Sequence, residues 1–457
     1  MWEVLVISCD DNEIYNLKKI CDEIFGGQNY SGTFIINASP SAIDYGNIAN
    51  MHEYALMYAK NITNTVIYQL PEPDKEFKYH DKKGDFNIYP LYNGNVAFNP
   101  VTRPNLFYPF YLNPNNEIEP GFYEISLKPS PGWVQVYPVI SRKDGIQRVW
   151  RWGKEKAQNG LNDEIIGYKS DSGDWRIVQK SRLTEKSIRS LLLENDVSSR
   201  RGTAEVESLL GRKVFPFPKP IELIRKFCAI STTENDIVLD FFSGSATTAH
   251  AVMKLNSETS GRRKFIMVQY PERCDAKTEA FQAGYKTICD IGKERIRRAG
   301  NKLKEEFPLA TQNLDIGFRV LKLADSNMNN VYYSAGEYGQ QKLDDMESKI
   351  KSDRTDLDLL FGCLLEWGLP LSLPYKSETI DGCTVHTYAP GDPDLEIRDA
   401  LIACFDEAVP TNVIETIARR NPLRAVFREE CFTSSPGKIN VFETFKRLAQ
   451  GTAVKVI

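Results

Sequence analysis

Much of what would classify this sequence quickly is missing from it. No stretch approaches the roughly twenty consecutive apolar residues that span a bilayer, and the opening residues do not read as a secretory leader, so a cytoplasmic location without membrane contact is the expectation. The nine cysteines fall without a C-x-x-C pair, and histidine occurs only at His52, His80, His250 and His386. Neither structural zinc nor a disulfide framework is therefore expected, and no metal ligands are assigned. No G-x-G-x-x-G run occurs, and none of Gly153-Lys154, Gly292-Lys293 or Gly437-Lys438 is followed by the Ser or Thr of a phosphate loop. A formal net charge of −4 gives no global pull on nucleic acid, so any DNA-binding face has to be a local patch.

What is present is ordinary globular usage, 42% hydrophobic and 26% charged over 457 residues, a length that suits about two to three domains. The most informative stretch is Ile237 to Val252. Ile237-Val238-Leu239 predicts a short strand buried on both faces, residues 240–246 a turn of small residues, and Ser245, Thr247 and Thr248 supply caps for a following helix. Ligands of open α/β sheets bind just beyond the carboxyl ends of strands. Phe242-Ser243-Gly244-Ser245-Ala246, with Asp240 before it, fits the F-x-G-x-G turn that holds S-adenosylmethionine in methyltransferases; an ordinary strand–turn–helix junction is the alternative. Ala246 stands where that pattern has glycine, and its Cβ disfavours a positive φ. A second strand over Lys264 to Tyr270 completes a strand–helix–strand unit, which puts Glu272 where an acid accepts hydrogen bonds from a ribose.

The rest of the chain divides by texture. Glu3 to Ser8 predicts a core strand, Ile14 to Phe25 an amphipathic helix capped by nearby acids and ended by Gly26-Gly27, and His52 to Asn61 another strand. From about Thr63 to Gly211, Pro, Gly, Asn and Tyr become frequent and turn dipeptides such as Asn113-Pro114 interrupt the apolar runs, which predicts a loop-rich, strand-poor domain. Within it, Arg103, Asn105, Arg148, Trp150, Arg151, Trp152 and Lys154 interleave polar or cationic groups with aromatics, as a DNA contact would; an aromatic cluster under a solvated face is the alternative. Lys180, Arg182, Lys186, Arg189, Arg200 and Arg201 add basic residues that fit a DNA-facing edge or a solvated helix. Phe217-Pro218-Lys219-Pro220 leads into a helix from Ile221. From about Leu314 a small α/β domain is expected, with a helix at Asp356 to Trp367 and strands at Ala400 to Phe405 and Arg424 to Arg428; His386 and Asp392-Pro393-Asp394 read as strand and loop residues.

Ile237 to Val252, Arg263 to Glu272, Phe215 to Leu223 and Ile7 to Glu13, with further blocks such as Arg148 to Lys156, Gly202 to Gly211 and Gly284 to Arg298, together resemble the modification subunit of type III restriction–modification systems, a DNA adenine-N6 methyltransferase family. The resemblance covers essentially the whole chain with its blocks in order. It implies a Rossmann-like S-adenosylmethionine-dependent sheet with an inserted target-recognition domain and a small C-terminal α/β domain. The corresponding segments are 1–62 for the end of the catalytic half, 63–211 for target recognition, 212–313 for the cofactor-binding half and 314–457 for subunit association. By the same resemblance Asp240, Phe242, Ser243, Gly244 and Ser245 match the cofactor turn, Glu272 the acid on the ribose, and Phe217, Pro218, Lys219 and Pro220 the wall of the methionine end. Double-stranded DNA, a homodimeric partner and a helicase-like restriction subunit are implied.

One family element has no counterpart. A D-P-P-Y-type tetrapeptide holds the flipped base's amino group in such enzymes, and this sequence contains no Pro-Pro dipeptide. The expectation is a chain lacking the family's N-terminal portion, with no catalytic residue to assign and no activity alone. The alternative is a non-catalytic DNA-recognition or assembly subunit completed by a second polypeptide.

Overall fold

The computed structural model describes residues 3–40, 48–329, 350–391, 398–432 and 435–457. These divide into two compact units, Met1–Gly317 and Phe318–Ile457.

The first unit opens with β1 (Val4–Cys9), α1 (Ile14–Phe25), β2 (Tyr30–Asn37) and β3 (His52–Ala59). β3 lies between β1 and β2, antiparallel to both, and Leu191–Leu192 adds a parallel pair to β2. Alternation sorts the side chains of β1 between two faces. Val4 and Val6 pack with Phe34, Met57, Leu223 and Phe227, while Ile7 and Cys9 join Leu56, Tyr58, Ile14 and Cys21 under α1. The acids expected to cap α1 do not: Glu13 is the N-cap without a side-chain cap bond, and Asp10 instead accepts from Asn12. Gly26 ends the helix at φ 84°, where a Cβ would be strained.

The middle of this unit corrects the strand-poor expectation. β4 (Tyr79–Asp81), β5 (Gly84–Pro90), β6 (Phe110–Glu119), β7 (Phe122–Ser126), β8 (Val134–Val136), β9 (Ile165–Lys169) and β10 (Trp175–Ser181) form one sheet in the order β4-β5-β10-β9-β7-β6-β8. Asn113-Pro114, which reads as a chain break, sits inside β6 where its register against β7 shifts between Leu112 and Glu117. A bulge tolerates a proline that a regular ladder would not. Only alternate positions such as Phe110 and Leu112 need be apolar, and they bury against Trp150, Ile165 and Ile177. The short α2 (Lys154–Gly160) covers part of this core.

Next come α3 (Ser199–Leu210), α4 (Ile221–Ser231), β11 (Ile237–Asp240), α5 (Thr247–Thr259), β12 (Lys264–Met267) and α6 (Ile288–Glu306). β11 and β12 pair in parallel with Asp240 opposite Met267. Val238 and Phe265 pack against Ile224, Cys228 and Val252 of α4 and α5. The other face is open: Ile237 is 60% and Leu239 56% exposed, so β11 is not buried on both faces.

The second unit holds a five-stranded sheet, β13 (Tyr375–Ile380), β14 (Cys383–Tyr388), β15 (Leu401–Cys404), β16 (Arg424–Phe427) and β17 (Ala453–Val456), in chain order. α7 (Asp356–Glu366), α8 (Thr411–Arg419) and α9 (Ser435–Leu448) accompany it. His386 lies buried in β14, with Nδ1 2.7 Å from the Ser377 hydroxyl; Asp392-Pro393-Asp394 falls outside the described residues.

Candidate functional site

The turn between β11 and α5 is built by two left-handed residues in one short loop, Gly244 at φ 50° and Ala246 at φ 61°. Gly244 has no Cβ to strain, and one added there would come 3.2 Å from the Phe215 ring. Ala246 is the N-cap of α5 and buried, holding a conformation that L-residues seldom take. Two bonds from the residues just after β12 fix the loop: Ser243 N–H donates to the Val268 carbonyl at 3.1 Å and Gly244 N–H to Gln269 Oε1 at 2.7 Å. Asp240 uses both oxygens to brace the loop, accepting from Phe242 N–H at 3.1 Å and from the Thr248 hydroxyl at 2.5 Å.

The hydroxyls expected to cap α5 have other work. Ser245 and Thr247 each accept from the Arg295 guanidinium of α6 at 2.7 Å. Arg295 is 0% exposed, and its Nε and second terminal nitrogen find no partner among the described residues. Burial lowers its pKa to about 10, and the charge of Glu205 on α3 opposes that. Glu205 accepts from Ile221 N–H at 2.9 Å, and burial raises its pKa. One helical turn before Arg295, Gly292 lets α6 approach: a Cβ there would sit 3.5 Å from both Ala246 Cβ and the Gly244 carbonyl. Gln269, Arg295, Glu205 and Gly292 thus complete the loop although none was singled out from sequence. The legible signal was Arg295 itself, a cation at helical spacing between Ile291, Ile296 and Ala299 on the buried face of α6.

The other cofactor candidates gather around the same strand ends. Glu272 lies exposed after β12, its carbonyl accepting from Ile288 N–H at the start of α6. Lys219 forms an ion pair with Glu53 at the start of β3, and its carbonyl accepts from the Thr247 hydroxyl at 3.1 Å. Pro218 and Pro220 are buried, Pro220 as N-cap of α4. Phe217, at φ 51°, and Phe242 are each 84% exposed. Asp240, Gly244, Lys219 and Phe242 therefore belong to one neighbourhood, with Ser243 and Ser245 buried beneath it.

The DNA-contact candidates split. Trp150 is 2% exposed with its indole N–H donated to the Tyr108 carbonyl at 2.7 Å, and Trp152 is buried in the same core. Arg148 is buried and paired with Asp144 at 2.5 Å. Side chains so enclosed offer no face to a duplex, so the aromatic-cluster reading holds for these three. Arg103, Asn105, Arg151 and Lys154 are exposed. Of the further basic residues, Lys180 is buried between Asp81 and Glu119, and Arg182 also pairs with Asp81.

In the second unit, Cys383, Cys404 and Asp406 bring three potential ligand atoms within 4.8 Å of one another. Burial pushes the Cys404 thiol up to about 12, and the Cys383 thiol donates to the Ala408 carbonyl at 3.6 Å, the behaviour of hydrogen-bonded thiols in a core. All nine cysteines are free.

The family model of the DNA methylases matches residues 3–299. The chain belongs to the DNA methylase family. Among its relatives, the EcoPI Mod subunit of a type III restriction–modification enzyme from Escherichia phage P1 is 28% identical over 393 residues, covering 84% of this chain and 59% of that protein. The type II methyltransferase M.KpnI from Klebsiella pneumoniae is 32% identical over 310 residues, 67% of this chain and 70% of that protein. The StyLTI Mod subunit from Salmonella typhimurium is 29% identical over 350 residues, 75% of this chain and 47% of that protein. Against these type III proteins the chain spans about half to three-fifths of their length.

The DNA methylase match takes in the four-stranded and seven-stranded sheets of the first unit, the β11–α5 loop and Arg295, and it stops before the second unit. No helix among the described residues is long and apolar enough to cross a membrane.

Proposed function

We propose that this DNA methylase family member is the modification subunit of a type III restriction–modification system, which takes a methyl group from S-adenosylmethionine to the N6 of an adenine flipped from double-stranded DNA. The observation that carries the reading is the β11–α5 loop, whose two left-handed residues bend it at the carboxyl end of a parallel strand inside the family-matched region. The residues fit the donor. Its ammonium and ribose call for acceptors, which Asp240 at the end of β11 and Glu272 in the segment after β12 offer, and its adenine calls for an apolar face, which the exposed rings of Phe217 and Phe242 offer. Lys219 is a cation beside the loop, on the side that walls the methionine end.

S-adenosylmethionine supplies a methyl group on a sulfonium that an exocyclic amine displaces directly, so the protein's task is alignment more than base catalysis. Arg295 acts as a positioning residue: it ties Ser245 and Thr247 to α6 and so keeps Gly244 and Ala246 in place. Residues 63–211 form the target-recognition region and 314–457 the association domain of a homodimer that engages a helicase-like restriction subunit, with segments 1–62 and 212–313 building the core. Arg103, Asn105, Arg151 and Lys154 contact DNA. The sequence has no D-P-P-Y-type element, so the groups that present the adenine come from outside it.

Two assays test this. Labelled-methyl transfer to DNA is absent with this chain alone; robust transfer by it would overturn the need for an outside segment. Neutralising Arg103, Arg151 and Lys154 weakens DNA binding evenly across sequences and flattens its salt dependence, as phosphate contacts require. Unchanged binding would remove these residues from the interface.

A further inference from the structure

We infer that a ring-lined cavity in the seven-stranded sheet takes one unpaired pyrimidine base of DNA. The inference rests on the proposed DNA substrate and adds to it a site for a base that has lost its partner in the duplex.

The cavity follows from the path of one strand. β5 pairs with β10 as far as Pro90 opposite Val178, and the chain then turns away, so that Tyr92 bridges to Trp150 instead. Among the described residues Trp175 and Arg176, at the start of β10, therefore pair only with Lys169 and Tyr168 of β9. The space left between them, the 88–92 segment and Tyr137, Val139 and Trp150 has a volume of about 180 Å³. Its walls are mostly rings, those of Tyr89, Tyr92, Tyr137, Trp150, Tyr168 and Trp175. The buried Trp150 closes the inner end, and Tyr89 and Tyr137, 47% and 42% exposed, stand at the mouth. Rings outside the cavity brace two of these walls: Phe107 stacks on Tyr137 with centroids 5.2 Å apart, and Tyr123 meets Trp175 edge-on at 4.9 Å.

Size and chemistry select the occupant. An apolar cavity of roughly 150 Å³ holds a benzene ring, so this space matches one six-membered ring and is small for a fused pair. Flat aromatic walls suit a stacked base. The cations are placed for the rest of a nucleotide. Lys169 is exposed, with Nζ 5.2 Å from the centroid of the Trp175 ring, and Arg142 and Arg176 approach Asp174 at 3.8 and 3.7 Å. Neither distance is a hydrogen bond, and Nε of Arg176 has no partner among the described residues. The guanidinium that lines the cavity is thus loosely held and can turn a terminal N–H onto a ring carbonyl, which both pyrimidines of DNA carry. Lys169 and Arg142 supply charge for the flanking phosphates. The proposed reaction itself creates such a base, because an adenine that flips out leaves its thymine unpaired.

The test measures binding of the full chain to three duplexes that differ at one position: thymine paired with adenine, thymine opposite an abasic site, and adenine opposite an abasic site. Unpaired thymine should bind about tenfold tighter than paired thymine, the order expected of one stacked base, and unpaired adenine should show no such gain. With pyrrolo-cytosine, a fluorescent pyrimidine, opposite the abasic site, binding should quench the emission. Tyr89→Ala and Tyr137→Ala should each bring the tenfold ratio close to one, and thermal melting should show both variants folded, since both side chains are exposed. Equal affinity for paired and unpaired thymine, an equal gain for unpaired adenine, or a gain that both variants keep overturns the inference. Duplex binding without the gain overturns this inference alone; binding to none of the duplexes overturns the proposed function with it.

Discussion

Ala246 shows how one residue records both a pattern and a departure from it. The sequence reading expects glycine there, and the structure places alanine at φ 61° all the same, because Gly292 leaves room for its Cβ and the Ser243 carbonyl accepts its N–H at 2.7 Å. Ala246→Gly should therefore stabilise the chain by about 0.5–1 kcal/mol, the left-handed penalty relieved less the entropy glycine adds to the unfolded state. A urea midpoint that moves down would contradict it. His250, one turn into α5, is buried with Nδ1 unpartnered among the described residues, and burial, helped by the charge of Arg295, lowers its pKa to about 3. The unfolded chain takes up its proton near pH 6.5, so this contribution is complete above that pH and is lost as pH falls toward 3, by about 1.4 kcal/mol per pH unit. His250→Leu should flatten that part of the stability profile, and an unchanged profile would contradict the assignment. The roles of Ser245 and Thr247 were not legible in the sequence, because nothing local announces that a residue fifty positions away will occupy their hydroxyls.

At the scale of elements, legibility followed burial pattern. β1, α1, β3, α4 and α5 were readable because each has a continuous apolar side or clear ends, and α7, β15 and β16 fall where their periodicity puts them. The seven-stranded sheet was not readable, since β6 carries Asn and Pro through its bulge and aromatic residues elsewhere in that region are as common in loops. Trp150 and Trp152 misled for a related reason: arginine and lysine beside tryptophan describe a stacking surface and a capped core equally well, and only burial separates the two. α3 packs close to the 217–220 segment at Gly202, where an added Cβ would meet the Pro218 carbonyl at 2.1 Å. Gly202→Ala should cost roughly 1–3 kcal/mol, as overpacking does. It should also weaken donor binding, because the displaced segment carries Lys219. Unaltered melting and binding would mean that α3 yields freely.

For the whole molecule, the proposed function makes the first unit a donor-binding and DNA-reading body. That proposal stands on this chain by itself holding the methyl donor at the β11–α5 loop. Calorimetric titration of the full chain with S-adenosylmethionine, beside Gly244→Asp, tests it most directly, with thermal melting of both proteins showing that each is folded. The account predicts one bound donor per chain and none in a folded Gly244→Asp variant. Absence of binding to the parent chain, or equal binding to both, would contradict it.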